Sequence, residues 1–291
     1  MTPENRSNCC ERDHLDLLEI PINPIKRNDI VDICKAWLSD SGKHYIVTAN
    51  AEILIMTIFD ENYKKVIKEA DLITADGMGV RWASAFSKKV NEEAKNYLDI
   101  FKLFFKTLAL IVWKPNLVDS SVPERVSGSD IIWDVALAAC KENVKVFLLG
   151  GMNQTAIKAA KKIKEVIPEV DIHAYVPDHF ASLDPSSELN SELERIKPEV
   201  VFVGYGSPKQ ELWISKNIKR YPFIKLAMGV GGTFDFIAGN VSRAPLKFQN
   251  HGLEWLWRLT HRPSRFFRAL KATFVFPAVL LTLKLVKFKG R

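Results

Sequence analysis

The chain has 291 residues, 47% hydrophobic and 26% charged, which suits a globular protein with a substantial core. Its four cysteines (Cys9, Cys10, Cys34, Cys140) form no CxxC pair and its six histidines no HxH or HxxxH pattern, excluding a disulfide framework and a recognisable zinc site and favouring a reducing compartment. The net charge of +7 is polarised: eleven Lys/Arg against Glu254 put +10 on residues 243–291 and leave −3 on the rest, a pattern that points to an anionic surface or an anionic substrate.

The polar N-terminus carries no apolar signal core, and residues 1–15 read as disordered. Asn28 to Leu38 has helical spacing. The β-rich run His44–Ala49 ends in the polar turn Asn50-Ala51-Glu52, and a helix follows. A further helix over Glu61–Ala70 leads to the short apolar run Asp71-Leu72-Ile73 and then to Thr74-Ala75-Asp76-Gly77-Met78-Gly79. Val80 to Phe86 reads as a helix. Between about Lys88 and Val122 the composition changes. Leu98, Phe101, Phe105, Leu108 and Val112 fall at helical spacing, Lys102 and Lys106 interrupt them, and the uncharged run is too short to span a bilayer, which takes ~20 apolar residues. This stretch reads as an excursion that touches a membrane or another subunit, with a core helix as the alternative.

Pro123 to Asp130 is a polar turn that opens a helix to about Lys141. Strands are expected at Val144–Gly151, Asp171–Val176, Glu199–Gly204 and Ile224–Val230, separated by helices at Thr155–Ile167, Leu189–Ile196 and from Pro208. Alternation of this kind predicts an α/β fold with a parallel, Rossmann-like sheet and right-handed crossovers. Four strand ends then meet on one rim: Thr48 to Glu52, Thr74 to Gly79, Gly204 to Glu211 and Gly229 to Asp235. Each carries polar or glycine residues where a core wants neither. Open parallel sheets bind ligands at the carboxyl ends of their strands, and Asp76 stands there before two glycines that allow close approach to a helix start. As an isolated motif, Asp76 could equally be a helix cap.

These segments resemble the WecG/TagA/CpsF glycosyltransferases, glycosyltransferase family 26. The likeness is carried by TANAEIL at 48–54, ADLITADGMGV at 70–80, PERVSGSD at 123–130, VFLLGG at 146–151, VVFVGYGSPKQELWI at 200–214, MGVGGTFDFIAGNVSRAP at 228–245 and LEWLWRL at 253–259. It covers about residues 18–270, and the excursion near 88–120 departs from the family pattern. The resemblance implies an inverting transferase that needs no metal and no cofactor. It would move an N-acetylmannosamine-type sugar from a UDP-sugar donor to a polyprenyl-diphosphate-linked N-acetylglucosamine, for teichoic acid linkage units or other bacterial surface polysaccharides. Glucose-, galactose- or mannosaminuronic-acid-type donors are the alternatives within the family.

Inverting transfer needs a base for the acceptor hydroxyl and a stabilised leaving diphosphate. By resemblance and position, Asp76 is that base. Thr48 and Asn50 would contact polar groups of donor or acceptor, Arg125 a phosphate, Gln210 the nucleotide-sugar, and Asp235 uridine or sugar hydroxyls. The bland alternatives are turn residues at 48 and 50, a salt bridge at 125, a solvated glutamine at 210 and a cap at 235. The chain has no Asp-x-Asp pair to clamp a magnesium ion. The resemblance assigns that task to Arg258, Arg265 and Arg268, which with Arg262 are spaced to share one helix face, although Pro263 interrupts the run. The uncharged stretch Ala272–Leu283, bracketed by basic residues, reads as an interfacial anchor. The expected organisation is a disordered 1–15, an α/β catalytic domain at 16–243 and a membrane-targeting appendage at 244–291. A peripheral protein on the cytoplasmic face of a bacterial membrane, bound to anionic lipid, would result, with homo-oligomers left open. A nucleotide-dependent oxidoreductase is disfavoured because GxGxxG is missing. A non-catalytic nucleic-acid binder is disfavoured because no such motif accompanies the charge.

Overall fold

A computed structural model describes residues 14–115, 118, 120–177, 182–242, 245, 248 and 271–289. A short antiparallel hairpin, β1 (Leu15–Leu17) and β2 (Ile20–Ile22), precedes α1 (Arg27–Ser39) and β3 (His44–Ala49). Then come α2 (Ala51–Phe59), α3 (Glu61–Lys68), β4 (Leu72–Ala75), α4 (Met78–Glu93) and α5 (Tyr97–Trp113). The second half comprises α6 (Gly128–Lys141), β5 (Val146–Gly150), α7 (Thr155–Val166), β6 (Ile172–Tyr175), α8 (Ser187–Ile196), β7 (Val200–Gly204), α9 (Lys209–Asn217), β8 (Leu226–Gly229) and α10 (Thr233–Ile237). A π-helical turn, Lys271–Val275, leads into α11 (Phe276–Lys289).

Strands β3 to β8 form one parallel six-stranded sheet in the order β4-β3-β8-β7-β5-β6. While the edge strand β6 is partly exposed along its length, the interior strands β5 and β7, VFLLG and VVFVG, are nearly continuous runs of Val, Leu and Phe because both faces are covered. Alternation within β7 shows this: Val201 and Val203 join one core, Val200 and Phe202 the other. The first core takes α2, α3, α4, α5, α8, α9 and α11; the second takes α1, α6, α7 and Phe234 of α10. The fold is therefore the expected α/β layer structure, entered by a hairpin that the sequence reading did not identify.

The excursion near 88–120 is the end of α4 followed by α5. Asn96 caps α5 by accepting from the Asp99 amide at 3.0 Å. The helix buries Ile100, Leu103, Phe104 and Ile111, and Phe104 meets Trp82 and Phe86 edge-on at 5.6 Å each. Trp82 Nε1 donates to Thr107 Oγ1 at 3.1 Å, which satisfies the indole within this core. At the C-terminus α11 is docked on the body: Phe276 and Leu280 are fully buried, and Phe276 meets Trp82 edge-on at 6.4 Å. Pro277 sits where the π-helical turn passes into α11, at a junction where the regular helical bonding already changes. Among the described residues, no helix is long and apolar enough to cross a membrane.

Candidate active site

A cleft of about 1190 Å³ runs along the carboxyl edge of the sheet and takes residues from the ends of all six parallel strands. Asp76 follows β4 at one end, and Val176 and Pro177 follow β6 at the other. The strands end in register, pairing Thr48 with Thr74, Ala49 with Ala75, and Gly150 with Gly204, so their loops open at one level. The crevice between β5 and β7 is the topological switch point: α7 leaves to one face of the sheet and α9 to the other, so the two loops part. Six helices, α2, α4, α6, α7, α9 and α10, begin at this rim. Their free N–H groups and dipoles favour an anion in the cleft.

The sequence-derived residues divide as follows. Asp76, Thr48, Asn50, Gln210 and Asp235 all line the cleft. Asp76 is not the cap of α4: Gly77 holds that position, without any side-chain cap bond. The Asp76 amide donates to Ala49 O at 2.7 Å, which ties the end of β4 to the end of β3. Gly77 has φ +100°, a conformation that only glycine adopts freely, and this turns the chain from Asp76 into α4. Asn50 does cap α2, its Oδ1 accepting from the Ile53 amide at 3.0 Å, and the bond uses its oxygen while leaving two N–H donors for a ligand. Thr48 is buried at the end of β3. Asp235 lies inside the first turn of α10, whose cap is Gly232.

Arg125 is not among the cleft-lining residues, and its guanidinium lies 3.8 Å from Asp130 at the start of α6. The neighbouring Val126 amide donates to Ala75 O at 2.9 Å, which presses this turn against β4 and brings Ser127 to Ser129 into the cleft. Arg258, Arg265 and Arg268 lie outside the described residues. Among the described residues, the cationic side chains lining the cleft are Lys158 and Lys209, neither of which the sequence reading singled out. Glu52, in the first turn of α2, is a third lining carboxylate beside Asp76 and Asp235.

Gln210 is buried, not solvated. Its Oε1 accepts from the Gly206 amide at 3.1 Å and the Gly231 amide at 2.8 Å, joining the loops after β7 and β8. Gly229 makes room for it, since a Cβ there would lie 2.5 Å from Gln210 Nε2. That nitrogen donates to Glu211 Oε1 at 2.7 Å; the same oxygen accepts from Ser207 Oγ at 2.8 Å, and Glu211 Oε2 accepts from the Tyr63 hydroxyl at 3.0 Å. Burial pushes the Glu211 carboxyl above its ordinary value, while its hydrogen-bond donors pull the other way. The Tyr63 hydroxyl is also raised, by burial first and by the nearby Glu211 second. Among the described residues, no group of three or more His, Cys, Asp or Glu is arranged to hold a metal ion.

A family model described as the Glycosyl transferase WecG/TagA/CpsF family matches residues 15–110 and 107–289, so the two matched segments meet within α5. A Bacillus spizizenii protein named N-acetylglucosaminyldiphosphoundecaprenol N-acetyl-beta-D-mannosaminyltransferase is 27% identical over 266 residues, covering 88% of this chain and 90% of its own length. A Staphylococcus aureus protein of the same name is 28% identical over 261 residues, with 89% and 87% covered.

Proposed function

The chain belongs to the WecG/TagA/CpsF family of glycosyl transferases, and from that premise we propose that it moves an N-acetylmannosamine-type sugar from a UDP-sugar to a polyprenyl-diphosphate-linked N-acetylglucosamine. The enzyme is a glycosyltransferase; its donor, its stereochemistry and its independence of metals belong to the proposal. The observation that carries it is the convergence of six helix N-termini and the Asp76 carboxylate on one cleft. The helix starts suit a diphosphate, and the carboxylate suits a hydroxyl that must lose a proton.

In this reading the nucleotide end of the donor occupies the crevice between β5 and β7 and the sugar extends toward Asp76. Asp76 accepts the proton of the acceptor hydroxyl as its oxygen attacks the anomeric carbon from the face opposite the leaving group. The bond from that carbon to the phosphate oxygen breaks, and UDP departs with the bonding electron pair. Lys158, Lys209 and the helix N-termini take up the developing negative charge, together with Arg258, Arg265 and Arg268. Arg125 pairs with Asp130 at the start of α6, beside the turn that packs on β4, and from there would contact an acceptor phosphate. Asn50 offers its amide donors to a sugar, Thr48 its hydroxyl, and Asp235 accepts from uridine or sugar hydroxyls. Gln210 acts by holding the two glycine loops that border the nucleotide. The basic segment 244–291 serves docking at an anionic, cytoplasmic membrane surface.

The test is a panel of UDP-sugars offered with a short-chain, water-soluble lipid-diphosphate-N-acetylglucosamine analogue. UDP release and an inverted disaccharide product are expected with UDP-N-acetylmannosamine, unchanged by a chelator. Failure of every UDP-sugar would refute the reading, and strict dependence on a divalent ion would refute its mechanism.

A further inference from the structure

We propose that the outer face of α5, with the adjoining side of α11, is a docking surface for a lipid bilayer carrying anionic headgroups. The helix is apolar on two sides. While Ile100, Leu103, Phe104 and Ile111 are buried, Leu98 is 62% exposed, Phe101 41%, Phe105 63%, Val112 46% and Trp113 77%. At ~100° per residue these five outward side chains fall within an arc of about 120°. A helix that merely covers a core is polar on its outer side, so a cluster of this size needs an occupant.

The charge around the face selects the occupant. Residues 92–114 carry Lys95, Lys102, Lys106 and Lys114 against Glu92, Glu93 and Asp99, and 276–289 carry Lys284, Lys287 and Lys289 with no acid; Glu93 lies near Lys106 and Glu19 near Lys287, which leaves the two helices together a basic excess. The two helices lie side by side: the Tyr97 and Phe288 rings meet at 5.4 Å. Lys102 falls within the apolar arc and Lys106 at its edge. Lysine is depleted at the core of protein–protein interfaces. At a bilayer surface the same pattern is favourable, because the aliphatic stems lie on lipid chains while the ammonium groups reach phosphates. An aromatic residue at the end of the face, Trp113, fits the headgroup level. The face is also tied to the site, since α5 packs through Phe104 on Trp82 and Phe86 of α4, the helix that begins beside Asp76. A membrane on α5 would thus lie toward the Asp76 end of the cleft, where the lipid-linked acceptor has to enter. That last step rests on the function proposed above; the surface itself does not.

The experiment floats the full chain with phosphatidylcholine vesicles containing about 30% phosphatidylglycerol, and with phosphatidylcholine alone. Wild type should float with the anionic vesicles, and Leu98→Glu/Phe105→Glu should lose about tenfold or more of that partition while its melting temperature and its turnover of the short-chain acceptor stay unchanged. A milder measurement needs no charge in the face. Vesicles should blue-shift the tryptophan emission of wild type, and Trp113→Phe should lose a measurable part of that shift, whereas a full-size shift in Trp113→Phe would overturn the proposal. Unchanged flotation of the double variant would overturn the proposal, leaving docking to the basic C-terminal segment alone. So would a concentration-dependent wild-type dimer in sedimentation that the double variant cannot form, since the face would then join two copies. Flotation requires no sugar nucleotide, so missing transfer activity with α5-dependent flotation would refute the functional reading and leave this one standing.

Discussion

Gln210 Nε2 donates to Glu211 Oε1 at 2.7 Å, and through that bond a buried carboxyl group orients the side chain that joins two glycine loops of the cleft. Replacing Gln210 with alanine removes the acceptor from the Gly206 and Gly231 amides. A buried donor left unpaired costs about 1–3 kcal/mol. Gln210→Ala should therefore melt earlier and raise KM for the UDP-sugar more than it lowers kcat. Melting curves and steady-state kinetics report both, and an unaltered KM would show that the loops hold their shape without it.

The buried Glu211 carboxyl makes a pH prediction. Its folded pKa lies above the ordinary 4.5, so the folded state binds more protons than the unfolded one between the two values. The stability this group supplies is complete below the unfolded value and is lost as pH rises through the folded value. Glu211→Gln mimics the protonated form and can still meet Tyr63, Ser207 and Gln210. The melting temperature of Glu211→Gln relative to wild type should climb as pH is raised from 4.5 toward neutrality. A difference that stays flat with pH would mean that Glu211 is ionised in both states.

Asp76→Asn leaves the backbone bond to Ala49 intact and changes a single functional group. Transfer should fall by about 10²–10⁴-fold, the usual contribution of a general base, with UDP affinity by calorimetry nearly unaltered. Glu52→Gln is the control because Glu52 lines the same cleft. If Glu52→Gln is inactive and Asp76→Asn turns over normally, the base has been assigned to the wrong carboxylate.

Much of this site was legible in the sequence, and the remainder was hidden for physical reasons. Parallel strands buried on both faces are largely apolar runs, so HYIVTA and VVFVG are legible as strands, and their polar ends mark the rim. The β5 end, VFLLGG, enters the sequence reading as a segment of the family resemblance and not as part of the rim, because its contribution depends on α7 and α9 leaving opposite faces of the sheet. Gln210 reads from sequence as a nucleotide-sugar contact, with a solvated helix-start glutamine as the alternative; its role in joining two loops is not legible there, since one of its partners, Gly231, lies 21 positions away. Glu211 is a charge on a short helix, and nothing local signals its burial. The stripe Leu98, Phe101, Phe105 and Val112 was visible as a period, but periodicity does not say that this side faces outward while Ile100, Leu103 and Phe104 fill the core.

Gly77 and Gly79 should respond differently to alanine. At Gly77 a Cβ meets nothing within 4 Å, yet φ is +100°, so Gly77→Ala is strained through the backbone alone. Strain of this kind costs about 1–3 kcal/mol, and relief by rotation would swing the neighbouring Asp76. Activity should drop well beyond the loss in melting temperature. Gly79 lies in α4, and its added Cβ would touch Ala51 Cβ at 3.5 Å, an ordinary contact. Gly79→Ala should keep its stability. Equal behaviour of the two variants in thermal melts would contradict the assignment of strain to Gly77.

Phe276 is fully buried against Trp82. Phe276→Ala should destabilise the whole domain by about 3–5 kcal/mol in denaturant titration, with a single cooperative transition. Deleting residues 244–291 would remove this side chain too, so loss of activity in such a truncation would not by itself speak for a membrane role. A separate, weak transition for α11 would show that it is not part of the folding unit.

The seating of Phe276 and Leu280 has a topological consequence for the arginines between them and Ser242. The chain before Ser242 and the helix that carries Phe276 belong to one folded body, so the positions between them are joined to that body covalently at both ends. Groups joined covalently to the body that binds a ligand act on it intramolecularly, at an effective concentration set by the connection and not by the concentration of the protein. The cations would meet a bound diphosphate as neighbours on the same molecule, without a bimolecular search.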